Sequence, residues 1–177
     1  MISIRRETND DADAIELVTR QAFAASDFGH NGEAELIREL RTSCDHYLSL
    51  VATMNQEIVG HALFTDATLT FAESEMNGMG LAPLSVLPRY QRNGIGSQLV
   101  QAGLAQLAKR GNPFCAVIGH PEFYTRLDFK DAAALSVVHG FAGIPQEFLL
   151  LHCSWSKEDE VPGQATLTYA AAFGSQF

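Results

Sequence analysis

Cysteine is scarce, and its spacing suits neither a metal site nor a disulfide framework: Cys44, Cys115 and Cys153 are odd in number and far apart. They form no zinc spacing with one another or with the six histidines, so buried free thiols are expected and a bound metal is not. No apolar run approaches the roughly 18–20 residues needed to span a bilayer. The first residues, Met-Ile-Ser-Ile-Arg-Arg-Glu, lack an apolar signal core, so the expected placement is cytoplasmic, with no membrane partner. Basic residues are also few. Twelve Lys and Arg stand against 21 Asp and Glu, a formal net charge of −9. That balance excludes the basic surface of a general nucleic-acid binder. It also means that a polyanionic ligand would have to be caught by local geometry and not by the global field, whereas a cationic amine would meet a favourable surround. Internal repeats, linkers and low-complexity tracts are absent. With 177 residues, 46% of them hydrophobic, one domain spanning residues 1–177 is expected.

What the chain does contain is organised around residues 81–99. This stretch starts as an apolar strand, breaks at Pro88, passes a polar glycine-containing loop and enters an amphipathic helix. In the helix Ile95, Leu99, Gly103, Leu104, Leu107 and Ala108 recur at three- and four-residue spacing, giving one apolar face. The first turn of a helix leaves backbone N–H groups without partners and carries the positive end of the macrodipole. Gly94 and Gly96 let a bulky anion approach the main chain closely, and Gly94 can take a positive φ without strain. Arg89 and Arg92 add charge beside the loop. A Rossmann loop would need a third glycine where Leu99 stands, and a P-loop would need Gly-Lys-Ser/Thr, which occurs nowhere.

Along the chain, Ile2 and Ile4 suggest a short first strand, and Asn9, Asp10 and Asp11 offer caps for a helix whose apolar residues are Ile15, Leu17, Val18, Ala22 and Phe23. After a break at residues 26–32, a second helix turns Leu36, Ile37 and Leu40 inward. Residues 47–52 read as a strand, Asn55 and Gln56 as a turn, and residues 58–64 as the hairpin partner, running on through Leu69 and Phe71. Residues 73–78 read as a polar connection to the focal strand, residues 79–87. Pro83 inside that strand cannot donate a ladder hydrogen bond and marks an edge or a bulge. Residues 114–118 form a continuous apolar strand, parallel to the focal one across the helix. A short helix opens at Pro121. A buried strand follows at residues 148–151, a charged loop at 156–163, and a last strand at 165–173 with Leu167, Tyr169 and Ala171 on one side. His61, on a strand, reads as a packed core histidine.

The hexapeptide Gln91-Arg92-Asn93-Gly94-Ile95-Gly96 fits the pattern Gln/Arg-x-x-Gly-x-Gly/Ala, and on it the chain resembles the GNAT N-acetyltransferase superfamily, whose acetyl-CoA pyrophosphate motif this is. The order of elements is that of the same superfamily, so the resemblance covers nearly the whole chain. It is sharpest over residues 80–129 and weakest over 132–144. It implies an α/β (α+β) fold, a central mixed sheet with a splayed parallel strand pair flanked by helices. It also implies direct transfer of acetyl from acetyl-CoA, most often to a primary amine, without metal. The acceptor could be a small molecule or a peptide.

Carried over residue by residue, the resemblance gives Leu84, Ser85 and Val86 as main-chain partners of the pantetheine arm, which lies in the splay like an added strand. An N–H near Val86 would polarise the thioester carbonyl. The loop residues Arg89, Gln91, Arg92, Asn93, Gly94, Ile95, Gly96 and Ser97 would take the pyrophosphate. Tyr124, five residues before Phe129, matches the general acid of the family's Tyr-x-x-x-Gly-Phe pattern, with Asp128 in place of the usual glycine. A phenol near pKa 10 is a slightly weaker acid than a thiol near 8.5, a mismatch of about 2 kcal/mol that a hydrogen bond to the leaving sulfur tolerates. The base stays open among Glu33 and Glu35, which start the second helix and could merely favour its dipole, and His120, which could merely cap the helix at Pro121. A non-catalytic acyl-CoA-binding regulator, a nucleotide binder and a purely structural protein are the rival readings. The final strand could pair two copies into a homodimer.

Overall fold

The computed structural model describes residues 1–24, 32–153, 155 and 163–175. Its strands are β1 (Ile2–Arg6), β2 (Tyr47–Met54), β3 (Glu57–Thr70), β4 (Glu75–Val86), β5 (Phe114–Ile118), β6 (Lys130–Asp131), β7 (Val137–His139), β8 (Leu149–Cys153) and β9 (Ala165–Tyr169). The helices are α1 (Ala12–Ala24), α2 (Glu33–Ser43), α3 (Ile95–Lys109) and the single turn α4 (Pro121–Tyr124). The strands form one sheet in the order β1-β2-β3-β4-β5-β8-β6, and β9 lies against the far end of β3 with β7 beyond it. Most pairs are antiparallel. β4 and β5 are parallel, as the connection through α3 requires.

Two features of sequence shape the middle of this sheet. Pro83, preceded by a cis peptide bond, interrupts β4, and the β3–β4 register shifts there, from Ala62–Leu84 to Phe64–Leu81. The bulge expected from that proline is therefore present. Second, the β4–β5 ladder holds only Met79–Cys115 and Gly80–Ala116, whereas β4 runs on to Val86 and β5 to Ile118. The two strands fork beyond Gly80. Tyr169 of β9 reaches across β3 to lie on Gly80 at the crotch of the fork; a Cβ on Gly80 would stand 1.9 Å from the ring.

Opposite faces of the sheet are covered by different helices. Residues of β3 alternate, so Gly60 and Phe64 face α3, where Phe64 lies against Gly103, and His61 and Leu63 face α1 and α2. Ile15, Val18 and Ala22 of α1 and Leu36, Ile37 and Leu40 of α2 are buried, as their spacing predicts. Leu17 is not; it is 56% exposed, because one helical step from Val18 turns it about 100° off the buried face.

Three other expectations change. β4 begins at Glu75, not after a connection to Gly78: Phe71 and Ser74 close a tight turn, and polar Glu75 and Asn77 join the ladder opposite Thr70 and Thr68. The last strand stops at Tyr169, and residues 171–175 wind into a 3₁₀ turn that exposes Ala171 and buries Ala172 and Phe173. β9 is paired with β3 over Thr166–Tyr169 and with β7 over Ala165–Leu167, so most of its length is already laddered within the chain. Cys115 is buried, and Cys44 and Cys153, also free, are half-buried. The break at 26–32 and the loop at 156–163 lie almost wholly outside the described residues.

Candidate active site

The loop from Leu87 to Gly94 is built to present the start of α3. A 3₁₀ turn over Pro88–Tyr90 leads out of β4, Arg92 takes a positive φ of 61°, and Gly94 sits left-handed at φ 77° as the N-cap residue. The first amide of α3 with an intrahelical acceptor is that of Gln98, which donates to the Gly94 carbonyl at 3.0 Å. The N–H groups of Ile95, Gly96 and Ser97 therefore emerge from the helix start without helical partners, where the macrodipole is positive. Space is left for a guest. A Cβ on Gly94 would meet nothing nearer than Gln98 Nε2 at 3.8 Å. One on Gly96 would enter the notch between α3 and the fork, 3.5 Å from Phe123 and 3.8 Å from Leu84 and Val86.

Within β4 the three residues expected to face the arm divide by alternation. Leu87 N–H donates to the Val59 carbonyl at 3.0 Å, so the next inward-facing residue of the ladder is Ser85, opposite His61. Leu84 and Val86 point their main-chain groups the other way, into the fork. Ser85 instead turns a buried hydroxyl to Thr19 Oγ1 at 3.3 Å, on the α1 face.

The loop side chains have partners that spacing could not reveal. Gln91 donates to the Val86 carbonyl at 3.0 Å and ties the loop to β4. Asn93 donates to the carbonyls of Tyr90 and Gln91 at 3.3 and 3.1 Å. Arg89 pairs with Glu57 and lies on the Tyr90 ring, 5.0 Å from its centre. Arg92 is exposed beside Gly94.

On the other arm of the fork, β5 ends at Ile118 and the chain turns into α4. His120 is the exposed N-cap residue, and its main-chain carbonyl, not its ring, accepts the amides of Phe123 and Tyr124 at 3.0 and 3.3 Å. Tyr124 is buried, edge-to-face with Phe123 at 4.8 Å and with Phe129 at 5.4 Å. Burial, with the nearby Cys115 thiol, pushes its phenol well above the usual range, so it keeps its proton. Asp128 adopts φ 63°, the left-handed conformation of the glycine it replaces, and the Phe129 amide reaches the Tyr124 carbonyl at 3.3 Å. Aspartate is among the few residues that visit this region readily, which is why the turn survives.

Glu33 opens α2 and is half-buried. Glu35, exposed on the same turn, is bound by Arg20 of α1, which holds its carboxyl below the ordinary carboxylate range. The contacts that hold Glu35 are to Arg20 and Arg38, away from the fork.

One residue escaped the sequence reading, and another, His61, is packed in the core as expected but in company that the sequence did not show. Phe123 walls the notch opposite Gly96, its only sequence signal being its place before Tyr124. His61 is fully buried beneath α1 and α2 and takes part in a polar chain: its Nε2 lies 2.8 Å from Ser49 Oγ, which donates to Glu7 Oε2 at 2.5 Å, and Arg41 grips Glu7 at 3.0 and 2.6 Å. Its Nε2 is also 3.8 Å from Glu7, but desolvation, with Arg41 adding, lowers the ring to about 3, so this is a neutral contact and no ion pair.

That shift has a stability consequence. An unfolded histidine binds a proton near pH 6.5 and native His61 refuses it down to about pH 3, so the unfolded state holds more protons across that window. The contribution is whole above pH 6.5 and is lost as the pH falls. At pH 5 the loss is about 2 kcal/mol. Between pH 7 and pH 5 the unfolding free energy from urea titration should fall further for the wild type than for His61→Gln, by about 2 kcal/mol. Equal falls in both would count against a neutral His61.

The family model described as acetyltransferase (GNAT) domain matches residues 3–132. The uncharacterized N-acetyltransferase YjhQ of Escherichia coli (strain K12) is 35% identical over 129 residues, covering 72% of this chain and 68% of its own. The uncharacterized N-acetyltransferase YhbS of the same strain is 31% identical over 131 residues, 73% and 74% of the two chains. Among solved structures, a GNAT family acetyltransferase from Brucella melitensis in complex with acetyl-CoA is similar at TM-score 0.77 and 30% identity, with 98% of each chain covered. YhbS from Escherichia coli in complex with CoA is similar at TM-score 0.81 and 26% identity, over 98% of this chain and 92% of its own.

Proposed function

Because the chain belongs to the GNAT acetyltransferase family, we propose that it moves the acetyl group of acetyl-CoA directly onto a primary amine of a small molecule or peptide, with residues 1–177 as one catalytic domain. The observation that carries this reading is the fork: β4 keeps unladdered main-chain groups at Leu84 and Val86 next to a helix start with three unpartnered amides. Acetyl-CoA supplies an acyl carbon activated by a thiol leaving group, and its pantetheine and diphosphate fit a strand edge and a helix start in turn.

Each residue then has a task. The amides of Gly94, Ile95, Gly96 and Ser97 hold the diphosphate, with Arg92 adding charge. Gln91 and Asn93 act on the loop itself, through Val86, Tyr90 and the Gln91 carbonyl. Arg89 reaches the phosphates only by leaving Glu57. The Val86 N–H polarises the thioester carbonyl, and Tyr124 hydrogen-bonds the departing sulfur. His120, exposed at the end of β5, holds the amine at the mouth of the fork, directly or through water. Glu33 helps draw the cation in. Glu35, committed to Arg20, contributes charge and takes no proton.

Thermal melting with acetyl-CoA, NAD and ATP tests this assignment. A ligand at one hundred times its Kd adds about 2.7 kcal/mol, or roughly 5–10 °C for a chain of this size. Acetyl-CoA should do so and NAD and ATP should not. Free thiol should then appear from acetyl-CoA on adding aliphatic primary amines. Equal stabilisation by ATP would mean that only phosphates are recognised, and would remove the thioester arm from the fork.

A further inference from the structure

We propose that Tyr169 is the end wall of the acyl pocket and confines the enzyme to short acyl groups, a step that rests on the transferase reading and names its donor class. The wall stands where the fork begins. The last ladder pair between β4 and β5 is Gly80 with Ala116, and the Tyr169 ring lies on Gly80, where an added Cβ would come within 1.9 Å of it. Neighbouring rings hold it in place, with Phe173 at 5.0 Å and Phe141 at 5.8 Å between centres, and the residue is only 7% exposed. A side chain packed this closely is a fixed stop and not a swinging lid.

Strand alternation places its hydroxyl at the gap. Gly119 N–H donates to the Phe148 carbonyl at 2.9 Å, so the preceding residue, Ile118, turns its main-chain groups to the other edge of β5, into the fork. The Ile118 amide faces the Tyr169 hydroxyl without closing a hydrogen bond. Tyr124 lies against Gly119, on the face of Cys115, whereas Tyr169 lies on the opposite face with Gly80. The two tyrosines therefore flank the fork from opposite sides of the sheet. Burial raises the Tyr169 phenol, with Cys115 and Tyr124 adding, so it stays protonated.

A second hydroxyl stands on the same face. Thr65 is the register partner of Gly80, and Thr65 Oγ1 and Tyr169 Oη are both buried without a hydrogen-bond partner among the described residues. Buried hydroxyls are ordinarily paired, so two orphans at one crotch mark the reach of a guest or of its water. Acetyl-CoA, with its diphosphate at α3 and its arm running inward past Val86, carries the acyl chain as its leading end. Each added methylene drives that end toward Gly80. There it meets the ring of Tyr169 and two hydroxyls that an alkyl chain cannot satisfy. Acetyl stops short of both. The wall takes no part in bond making, and the thioester carbonyl, sulfur and amine stay with the groups assigned above.

Thiol release on the full chain, with an aliphatic primary amine and acetyl-, propionyl- or hexanoyl-CoA, measures the wall. In the wild type kcat/KM should fall by about a hundredfold or more from acetyl to hexanoyl. Tyr169→Leu, which opens the crotch, should raise the hexanoyl-to-acetyl ratio about tenfold or more, and Tyr169→Phe, which keeps the ring, should hold it within about threefold of the wild type. Melting curves establish that each variant is folded. A measurement on the wild type alone serves if Tyr169→Leu does not fold: by calorimetry the unreactive thioether S-hexyl-CoA should bind about tenfold or more weakly than S-ethyl-CoA. A wild type that uses hexanoyl-CoA as well as acetyl-CoA overturns the wall and leaves the transferase standing. So does a folded Tyr169→Leu with an unchanged ratio. A wild type that binds neither thioether and releases no thiol sinks the transferase reading, and the wall with it.

Discussion

Gly94→Asp is expected to abolish CoA binding while leaving the fold intact. The two halves of this expectation have separate causes. On the folding side, the position is roomy, with Gln98 Nε2 the nearest neighbour of an added Cβ at 3.8 Å, so the cost is the left-handed φ of 77° alone. For a residue other than glycine that is about 1–2 kcal/mol, less for aspartate, and a carboxylate at a helix start recovers part of it. On the binding side, the carboxylate would stand where the diphosphate is proposed to rest and would compete for the same amides. Two unit charges about 4 Å apart repel by about 4 kcal/mol at an effective dielectric constant of 20, before any blocked approach is counted. A rise in Kd of at least about a thousandfold follows. Gly94→Ala separates the two effects, since it carries the φ strain without the charge and should bind within about tenfold of the wild type. Calorimetric titration with CoA and a melting curve of each variant make the comparison. A folded Gly94→Asp with undiminished affinity would show that no diphosphate rests there.

Where local chemistry dictates structure, the chain could be read directly. Pro83 cannot join a ladder, and the register breaks at that residue; Asn55 and Gln56 turn with positive φ; the apolar faces of α1 and α2 follow the helical period apart from Leu17. The shape of the loop before α3 was legible for the same reason, because the left-handed Gly94 at the helix start is a backbone geometry that glycine spacing records. Elements decided by their neighbours were not. Glu75 and Asn77 look like loop residues until Thr70 and Thr68 are set opposite them, and β7 exists because β9 is there to pair with it. Side-chain partners were the least visible. Gln91 and Arg89 sit in a motif that invites a phosphate role, yet one holds Val86 and the other Glu57. The polar chain through His61 joins residues 7, 41, 49 and 61 from four different elements, and no periodicity connects them. A lone histidine on an apolar strand says only that it is inside; its partner, and hence its tautomer, is a tertiary fact.

Tyr124→Phe should lower kcat by about a hundredfold and leave the KM for acetyl-CoA close to unchanged. The ring makes the packing contacts, against Phe123 and Phe129, and phenylalanine retains them, so binding and stability have little reason to move. Only the hydroxyl is lost, and an interaction made by the departing sulfur alone lowers kcat without altering affinity for the ground state. The size of the effect follows from the acidity. Burial raises the phenol above its ordinary range and so widens its mismatch with a thiol. Full transfer of the proton before departure is therefore uphill, and the role proposed for the hydroxyl is that of hydrogen-bond donor to the developing thiolate. That places the loss at the lower end of the 10²–10⁴ range of general acid catalysis. The same burial sets a pH signature: since the group ionises above its usual value, no falling limb from Tyr124 should appear in kcat up to about pH 10. Thiol-release kinetics with an amine panel, run on both proteins across that range, provide the measurement. If Tyr124→Phe turns over as fast as the wild type, the sulfur leaves without this hydroxyl, and the phenol above the fork is there to fill space beside Phe129.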